Sequence, residues 1–519
     1  MRSVSNPLGN LNYDLPSSVV VFLVAIPLCL GIALASGAPM LSGLIAGIVG
    51  GIVVGSFSGS NLSVSGPAAG LTTIVLSAIS QLGSYEAFLC AVVLGGFFQI
   101  LLGLFKAGTI GHFFPVAVIK GMLSAIGLIL ILKQIPHALG YDKDFEGDEA
   151  FFQADGENTF SEIVNALNYF SGGAIIISLL SVLILISWDR PSIKNHKILK
   201  YVPGPLLVVL FGILMNALYN AVVPVLAISE EHLVTLPNAA AFFEQMTFPD
   251  FSQFGNINVY IIAVTLALVA SLESLLSIEA ADKLDEFKRI TPLNRELRAQ
   301  GIGNMVSGLL GGLPVTAVIV RSSANINAGA RTKASTITHG LLLLTAVMAI
   351  PHLLSLIPFS ALAAILIVTG YKLTKPSLYR DTFRKGWDQF LPFVITIAAI
   401  ILTNLLVGIA IGIAVGLFFV LKTNFHEAIS IIKDGNHYLL RLNKDVTFLN
   451  KALLRKTFEH IPDNTTLIID GGSSMFIDND IIETIDDFVL NAPSRNIKVE
   501  IKKSYSSPNQ FFRKTEVNV

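Results

Sequence analysis

"SVSGPAAGLTT", residues 63–73, interrupts a strongly apolar chain with Gly66-Pro67 and continues at once with small residues. "GLPVTA", residues 312–317, repeats the theme. Pro67 and Pro314 each open a short apolar segment, and the reading of these two breaks decides the fold. A helix that starts inside a membrane leaves its first N–H groups without intrahelical partners. In hydrocarbon this is costly unless the helix end lines a cavity or meets a ligand. Two such N-termini aimed at each other form a donor-rich, partially positive site that suits an anion. Proline fits the first helical position, where no N–H is needed. Ala68, Ala69, Gly70, Thr316 and Ala317 are small enough to let a compact ligand reach the backbone.

The rest of the chain supplies the membrane. Of its 519 residues 53% are hydrophobic and 14% charged, whereas soluble proteins carry roughly 25% charged residues. Hydropathy marks about fourteen apolar segments. They lie near 17–36, 40–57, 67–82, 86–105, 113–133, 172–188, 205–226, 257–280, 297–313, 315–329, 334–353, 356–371, 388–403 and 405–422. The broken segments are the third and the tenth, so each is third in its half of seven. With seven segments per half, the second half enters the membrane from the opposite side. That is an inverted repeat, with halves at about 17–226 and 257–422, and matched interruptions in such halves point to a transporter binding site.

Loop charge orients the chain. The stretch 137–170 holds Asp142, Asp144, Glu146, Asp148, Glu149, Asp155, Glu157 and Glu162. The stretch 227–256 holds Glu230, Glu231, Glu244 and Asp250 and no Lys or Arg. Basic residues collect elsewhere: Arg190, Lys194, Lys197 and Lys200, then Arg331 and Lys333, then Lys372, Lys375, Arg380, Arg384 and Lys385. Basic loops favour the cytoplasm. Both termini are then cytoplasmic, with Lys133 a mild exception at an outer end. From about Asn424 the pattern changes. "HYLLRL" (437–442), "TTLIID" (465–470) and "NIKVEIKK" (496–503) read as strands, and 450–461 and 478–491 read as amphipathic helices. This alternation predicts a small α/β domain over 425–519 behind a membrane domain over 1–424, with a polar tail from Ser504.

Charged residues inside the apolar segments default to functional roles. Glu273 sits in segment eight, with Ser277 one turn on, suited to carrying a proton or helping to hold Na⁺. Arg321 lies about two turns into segment ten, placed to attract an anion or to pair with Glu273. Lys120 reads as a snorkelling residue. Cys29 and Cys90 read as packing residues, and His112, His339 and His352 as segment-end residues. The chain has no phosphate-binding Gly-rich loop of the GxxxxGK[ST] form and no HExxH. Transport is therefore secondary or passive, no cofactor is expected beyond a coupling Na⁺, and a net charge of −1 gives no nucleic-acid footprint.

The chain resembles the SulP family of inorganic anion transporters. The resemblance rests on "AIPLCLGIALASGAP" (25–39), "SVSGPAAGLT" (63–72), "SLESLLSIEAAD" (271–282) and "GLLGGLPVTAVIVRSSANINAGARTKAS" (308–335), and covers nearly the whole chain. It implies an all-α polytopic membrane protein. The fold implied is a seven-plus-seven inverted repeat with uracil-permease-like core and gate domains, commonly a homodimer. It places the anion between segments three and ten, with Ala68, Ala69 and Gly70 facing Val315, Thr316 and Ala317. Arg321 matches the basic position that follows that site, and Pro27 and Leu28 line it from segment one. Glu273 matches the family's carboxylate tied to H⁺ or Na⁺ coupling. The C-terminus resembles a shortened STAS domain, with Asn479-Asp480 after Asp478 where many such domains carry serine near that point. Many sulfate-type members carry Gln where this chain has Leu28, and "PLCLGIALASGAP" looks more like the bicarbonate-transporting branch.

The expectation is a secondary transporter of a small inorganic anion, bicarbonate or sulfate, in a bacterial inner membrane, and not an enzyme. Two rivals share the pattern: an uncoupled channel, exchanger or STAS-linked sensor, and a nucleobase or dicarboxylate carrier, which needs more side-chain donors at the site.

Overall fold

The computed structural model describes residues 8–143, 158–190, 193, 199, 202–234, 246–443, 445–474 and 476–502. Asp144, Glu146, Asp148, Glu149, Asp155, Glu157, Lys194, Lys197, Lys200, Glu244 and the tail from Ser504 lie outside the described residues. The chain divides into two compact units, 1–413 and 414–519.

All fourteen apolar runs fall on helices. The first half contains α1 (Leu11–Ala35), α2 (Met40–Phe57), a strand β1 (Ser65–Pro67), α3 (Ala69–Leu82), α4 (Tyr85–Leu104), α5 (Val116–Leu139), α6 (Thr159–Asn168), α7 (Gly172–Trp188) and α8 (Gly204–Val222). The second contains α9 (Ile257–Leu284), α10 (Leu293–Leu309), a strand β2 (Val315–Ala317), α11 (Ile319–Asn327), α12 (Ala334–Ala349), α13 (Phe359–Leu373), α14 (Pro376–Phe383), α15 (Trp387–Leu402) and α16 (Leu405–Glu427). Six of these are long and apolar enough to cross a bilayer: α1, α2, α4, α5, α8 and α9. The α6–α7 pair passes the same test together but is bent by 118°. Leu179, Leu183 and Ile186 on α7, Leu210, Leu214 and Leu218 on α8, and Ile261 and Leu268 on α9 are exposed. Water disfavours apolar stripes of this size, and lipid accepts them.

Helix contacts come in matched pairs. In one bundle α4 packs on α9 and α10, while α12 packs on α1 and α2; α5 packs on α13 and α15. Glycines set the closest crossings. A Cβ on Gly96 of α4 would lie 2.6 Å from the Gly301 carbonyl of α10, and one on Gly51 of α2 would lie 2.6 Å from the Gly340 Cα of α12. The α5–α13 crossing uses Gly127 against Gly370, again at 2.6 Å. Such contacts bring helix backbones together where no hydrophobic effect drives association. Lys133, the outlier in the charge pattern, forms a buried ion pair with Glu162 of α6 at 3.6 Å.

β1 and β2 form a two-stranded antiparallel ribbon with Ser65 opposite Ala317, Gly66 opposite Thr316 and Pro67 opposite Val315. α2 makes room for it through a π-helical turn at Gly50–Val54, where a Cβ on Gly50 would lie 2.3 Å from the Ser65 carbonyl. Such a wide turn inserts an extra residue and bends the helix away.

The second unit carries a four-stranded sheet in the order β3 (Ile429–Asp434), β4 (His437–Leu442), β5 (Thr466–Asp470), β6 (Lys498–Lys502). β3 pairs antiparallel with β4, and the other pairs are parallel. The helices α17 (Lys451–Glu459) and α18 (Asn479–Asn491) make the two crossovers, and Leu440, Leu454, Leu467, Ile469, Ile481 and Ile485 form the core. Three strands and both helices match the sequence reading. β3 was not expected, because its burial falls away after Ile429 and leaves no period-two signal.

Candidate functional site

The site is built where the two strands hand over to helices. Ala68 precedes α3 with φ −113° and ψ 133°, and Val318 precedes α11 with φ −110° and ψ 116°. Neither residue offers a side-chain cap. Ser84, Ser171 and Asn256 cap α4, α7 and α9 with side-chain oxygens, whereas α1, α2, α5, α8, α10, α12, α13 and α15 also begin without a side-chain cap, so it is the placement of α3 and α11 beside the ribbon that sets their N-termini apart. Two uncapped helix N-termini flanking one ribbon leave donors and positive dipole ends for a ligand. Ala69 is half-buried, Gly70 and Thr73 are exposed, and Val318 is half-buried, so these residues form the open rim.

The register corrects the sequence reading in two respects. Val315, Thr316 and Ala317 pair with Ser65, Gly66 and Pro67 rather than facing Ala68, Ala69 and Gly70, and all three are fully buried. Neither proline opens a helix: Pro67 ends β1 and Pro314 precedes β2. Three-residue strands satisfy backbone groups between the halves, and each helix starts after one intervening residue, Ala68 or Val318. Pro27 and Leu28 are buried in α1.

Charged side chains bracket the first entrance. A Cβ on Gly70 would lie 2.9 Å from Glu273 Oε1, so the buried carboxylate packs on the start of α3. A Cβ on Gly66 would lie 2.1 Å from Arg321 Nη1. The guanidinium is fully buried, and its Nη2 donates to Cys29 Sγ at 3.3 Å. Ser277 is buried one turn beyond Glu273, but the α9 hydroxyl that reaches the ribbon is Ser274, whose Oγ accepts the Ala317 N–H at 3.2 Å. His339 is not a segment-end residue. It lies inside α12 and is fully buried. Near the far end of α9, Glu279 meets His112 at 3.2 Å, and Asp282 accepts the Thr291 N–H at 2.7 Å and hydroxyl at 2.8 Å.

Sequence reasoning missed a polar stripe on α10. Glu296, Gln300, Asn304 and Ser307 recur at helical spacing and are all buried. Glu296 accepts from Ser58 Oγ at 2.5 Å and from Gln300 Nε2 at 3.0 Å. Gln300 also donates to Ser65 Oγ of β1 at 2.8 Å. Asn304 accepts the Val315 N–H at 2.5 Å and donates to the Val315 carbonyl at 2.9 Å. Ser307 donates to the Leu313 carbonyl at 2.7 Å. The signal was present as polar residues three and four apart inside an apolar segment, the spacing of one helix face.

Two further features lie apart from the ribbon. A cavity of about 900 Å³ is lined by Tyr13, Trp188, Asp189, Glu286, Asn327 and Lys372 among others, and by neither strand. Lys372 pairs with Asp189 there at 2.7 Å. At the other charge pole Asp142 bridges His137 and His232, each at 2.5 Å. Burial works to raise the Asp142 carboxyl, but hydrogen bonds from the two histidines outweigh it and hold the group below its usual range. The same bond to Asp142 raises His232 above its ordinary value.

Comparison with known proteins agrees with this architecture. The sequence model of the sulfate permease family matches residues 11–399. The Bacillus subtilis protein named "Putative sulfate transporter YvdB" is 28% identical over 98% of this chain and 94% of its own length. The "Bicarbonate transporter BicA" of Picosynechococcus is 25% identical over 70% of this chain and 61% of its own. The solved transmembrane domain of a cyanobacterial BicA superposes with a TM-score of 0.54 at 23% identity, covering 79% of this chain and 97% of that one. A structure of SLC26A9 superposes with a TM-score of 0.66 at 16% identity, covering 94% and 83%. The chain belongs to the sulfate permease family, and with it to the multi-pass membrane transporters rather than the enzymes.

Proposed function

We propose that this protein is a secondary active transporter of a small inorganic anion, driven by symport of Na⁺ or H⁺ through Glu273. The observation that carries the reading is the Glu273 carboxylate packed on Gly70, at the uncapped start of α3. An anion held by the first N–H groups of α3 and α11 and a carboxylate at the same entrance repel each other. A proton or a Na⁺ on Glu273 removes that repulsion, so the two ligands bind together better than either binds alone. Arg321, buried behind Gly66, adds a fixed positive charge. The anion-binding set is then Ala68, Ala69, Gly70 and Arg321, with Val315, Thr316 and Ala317 as the supporting strand and Pro27 and Leu28 behind. Glu273 is the coupling group, with Ser277 within one turn.

Fourteen membrane segments in two inverted halves account for the matched helix contacts and the antiparallel ribbon. Both termini then face the cytoplasm of a bacterial cell, the 900 Å³ cavity opens to that side as the release route, and the C-terminal unit is a STAS-like domain. A homodimer is the assembly this family reading favours. Bicarbonate is favoured over sulfate as substrate, because an entrance of alanine and glycine beside Leu28 suits a small monovalent anion. Relatives carry both names.

The test is uptake of labelled bicarbonate and labelled sulfate by purified protein in liposomes, under an inward Na⁺ gradient, an inward H⁺ gradient or neither. Accumulation of one anion above equilibrium under one gradient establishes substrate and coupling ion together. Glu273→Gln is expected to abolish that accumulation. Equilibration with no gradient dependence in the parent protein overturns the coupled reading in favour of a channel or exchanger.

A further inference from the structure

Coupling requires that the anion cradle register what happens at Glu273, and a second connection joins them besides the contact at Gly70. We propose that Asn304 and Gln99 are positioning residues that fix the second half of the cradle to α9, the helix that carries Glu273. This deepens the transport reading above and rests on it.

The connection is continuous. Asn304 holds both backbone groups of Val315, as a neighbouring strand would. Its Nδ2 also donates to Gln99 Oε1 of α4 at 2.6 Å. Gln99 Nε2 donates in turn to Ser271 Oγ at 3.3 Å. Ser271 lies two residues before Glu273 on α9, and Ser274, one residue after it, takes the Ala317 N–H. β2 is thus tied to the two sides of Glu273, once directly and once through two amides. Gln99 and Ser274 have no exposed surface, and Asn304 and Ser271 are buried. Buried amides with satisfied partners hold a single geometry, because each broken bond leaves a polar group without water. The neighbouring void, lined by Gln99, Asn304 and Pro314, is about 10 Å³. That is at the lower limit for one water. A shift of α9 on loading Glu273 is therefore transmitted to Val315 and Ala317 rather than absorbed by hydration.

The experiment measures the anion KM at low and saturating coupling cation in liposomes. It compares the parent with Asn304→Ala, Gln99→Ala, the double variant and Gln99→Glu. Each alanine variant is expected to raise the anion KM about tenfold and to flatten its dependence on the cation, with kcat within about threefold. The double variant is expected to be no worse than the weaker single one, since both cut one chain. Gln99→Glu keeps the acceptor for Asn304 and loses the donor to Ser271. It is expected to keep the parent KM at saturating cation while losing part of the cation dependence. Parent-like KM and cation dependence in the alanine variants overturn the proposal. So does a loss confined to kcat, or to the amount of folded protein recovered. If the parent shows no cation dependence, the coupled reading fails, and the proposal is then judged by equilibrium anion binding. An unchanged affinity in Asn304→Ala and Gln99→Ala overturns it there as well.

Discussion

The two crossing strands have three residues each and pair one for one, yet they are held by different chemistry. β1 is flanked by charge: Arg321 lies against Gly66, and Glu273 lies against Gly70 just beyond the strand. β2 is held by neutral groups: Asn304 on Val315, Ser274 on Ala317 and Ser307 on Leu313. The difference divides the labour. The first strand needs glycine because charged side chains lie on its backbone, and there the local field can change. The second needs amides and hydroxyls because they tie its backbone to α9, so that it follows that helix when the field changes.

Substitutions at matched positions put this contrast to the test. The largest effect is expected from Gly66→Ala, whose new methyl would sit 2.1 Å from a fully buried guanidinium with no room to withdraw. Loss of uptake by at least tenfold, together with a lowered unfolding temperature, is the expected result. Its pairing partner offers the contrast: Thr316→Val should change uptake by less than about threefold, and an equal loss at both would erase the asymmetry. Gly70→Ala comes next. The methyl would meet the far end of the Glu273 side chain, at 2.9 Å. The protein should fold as the parent does, with the anion KM raised several-fold and its cation dependence altered.

Ser274→Ala leaves the Ala317 N–H buried without its acceptor. A stability loss of about 1–2 kcal/mol is expected, read by thermal unfolding in detergent, with a smaller change in anion KM than Gly70→Ala gives. The smallest effect on transport is expected outside the ribbon, at His232. Its raised pKa means that the bond to Asp142 stabilises the fold at acidic pH and is lost as pH rises through the folded-state value. His232→Gln should therefore lower stability by about 1 kcal/mol at mildly acidic pH and by less at alkaline pH. The anion KM should stay at the parent value throughout. A KM that follows the His232 titration would mean that the cradle is not the only place where substrate affinity is set.

How much of this was legible in the sequence depends on the range of the forces involved. The helices were legible because hydropathy is local, and every apolar run fell on one. The break at residues 63–73 was legible because glycine and proline disrupt helices wherever they stand. Glu273 stood out in the sequence because an intramembrane carboxylate is rare; its position against Gly70 was not legible, because that contact joins segments about 200 residues apart. The register was not legible. Which residue opposes Thr316 is decided by pairing across the two halves of the chain, and matching Pro67 with Pro314 gave the wrong alignment. The α10 stripe was overlooked because Gln300, Asn304 and Ser307 lie within a run scored only for its mean hydropathy, and Glu296 falls just outside it, so their spacing as one helix face was not considered. His339 was misplaced for a related reason: histidines were assumed to mark ends, and this one is enclosed by packing that the sequence does not display.

The ribbon also has a consequence for how the protein is made. β1 leaves the ribosome about 250 residues before β2. At typical synthesis rates the interval is roughly 10–50 s. Throughout it, the first half carries an extended segment whose pairing partner does not yet exist, and the carboxyl-bearing helix α9 emerges only near its end. The site is therefore assembled late, by a contact of very long sequence separation, after α1–α10 have been made. A nascent chain halted before residue 315 has every membrane helix of its first half and no cradle, and such a chain is the natural client of whatever shields polar backbone within a membrane.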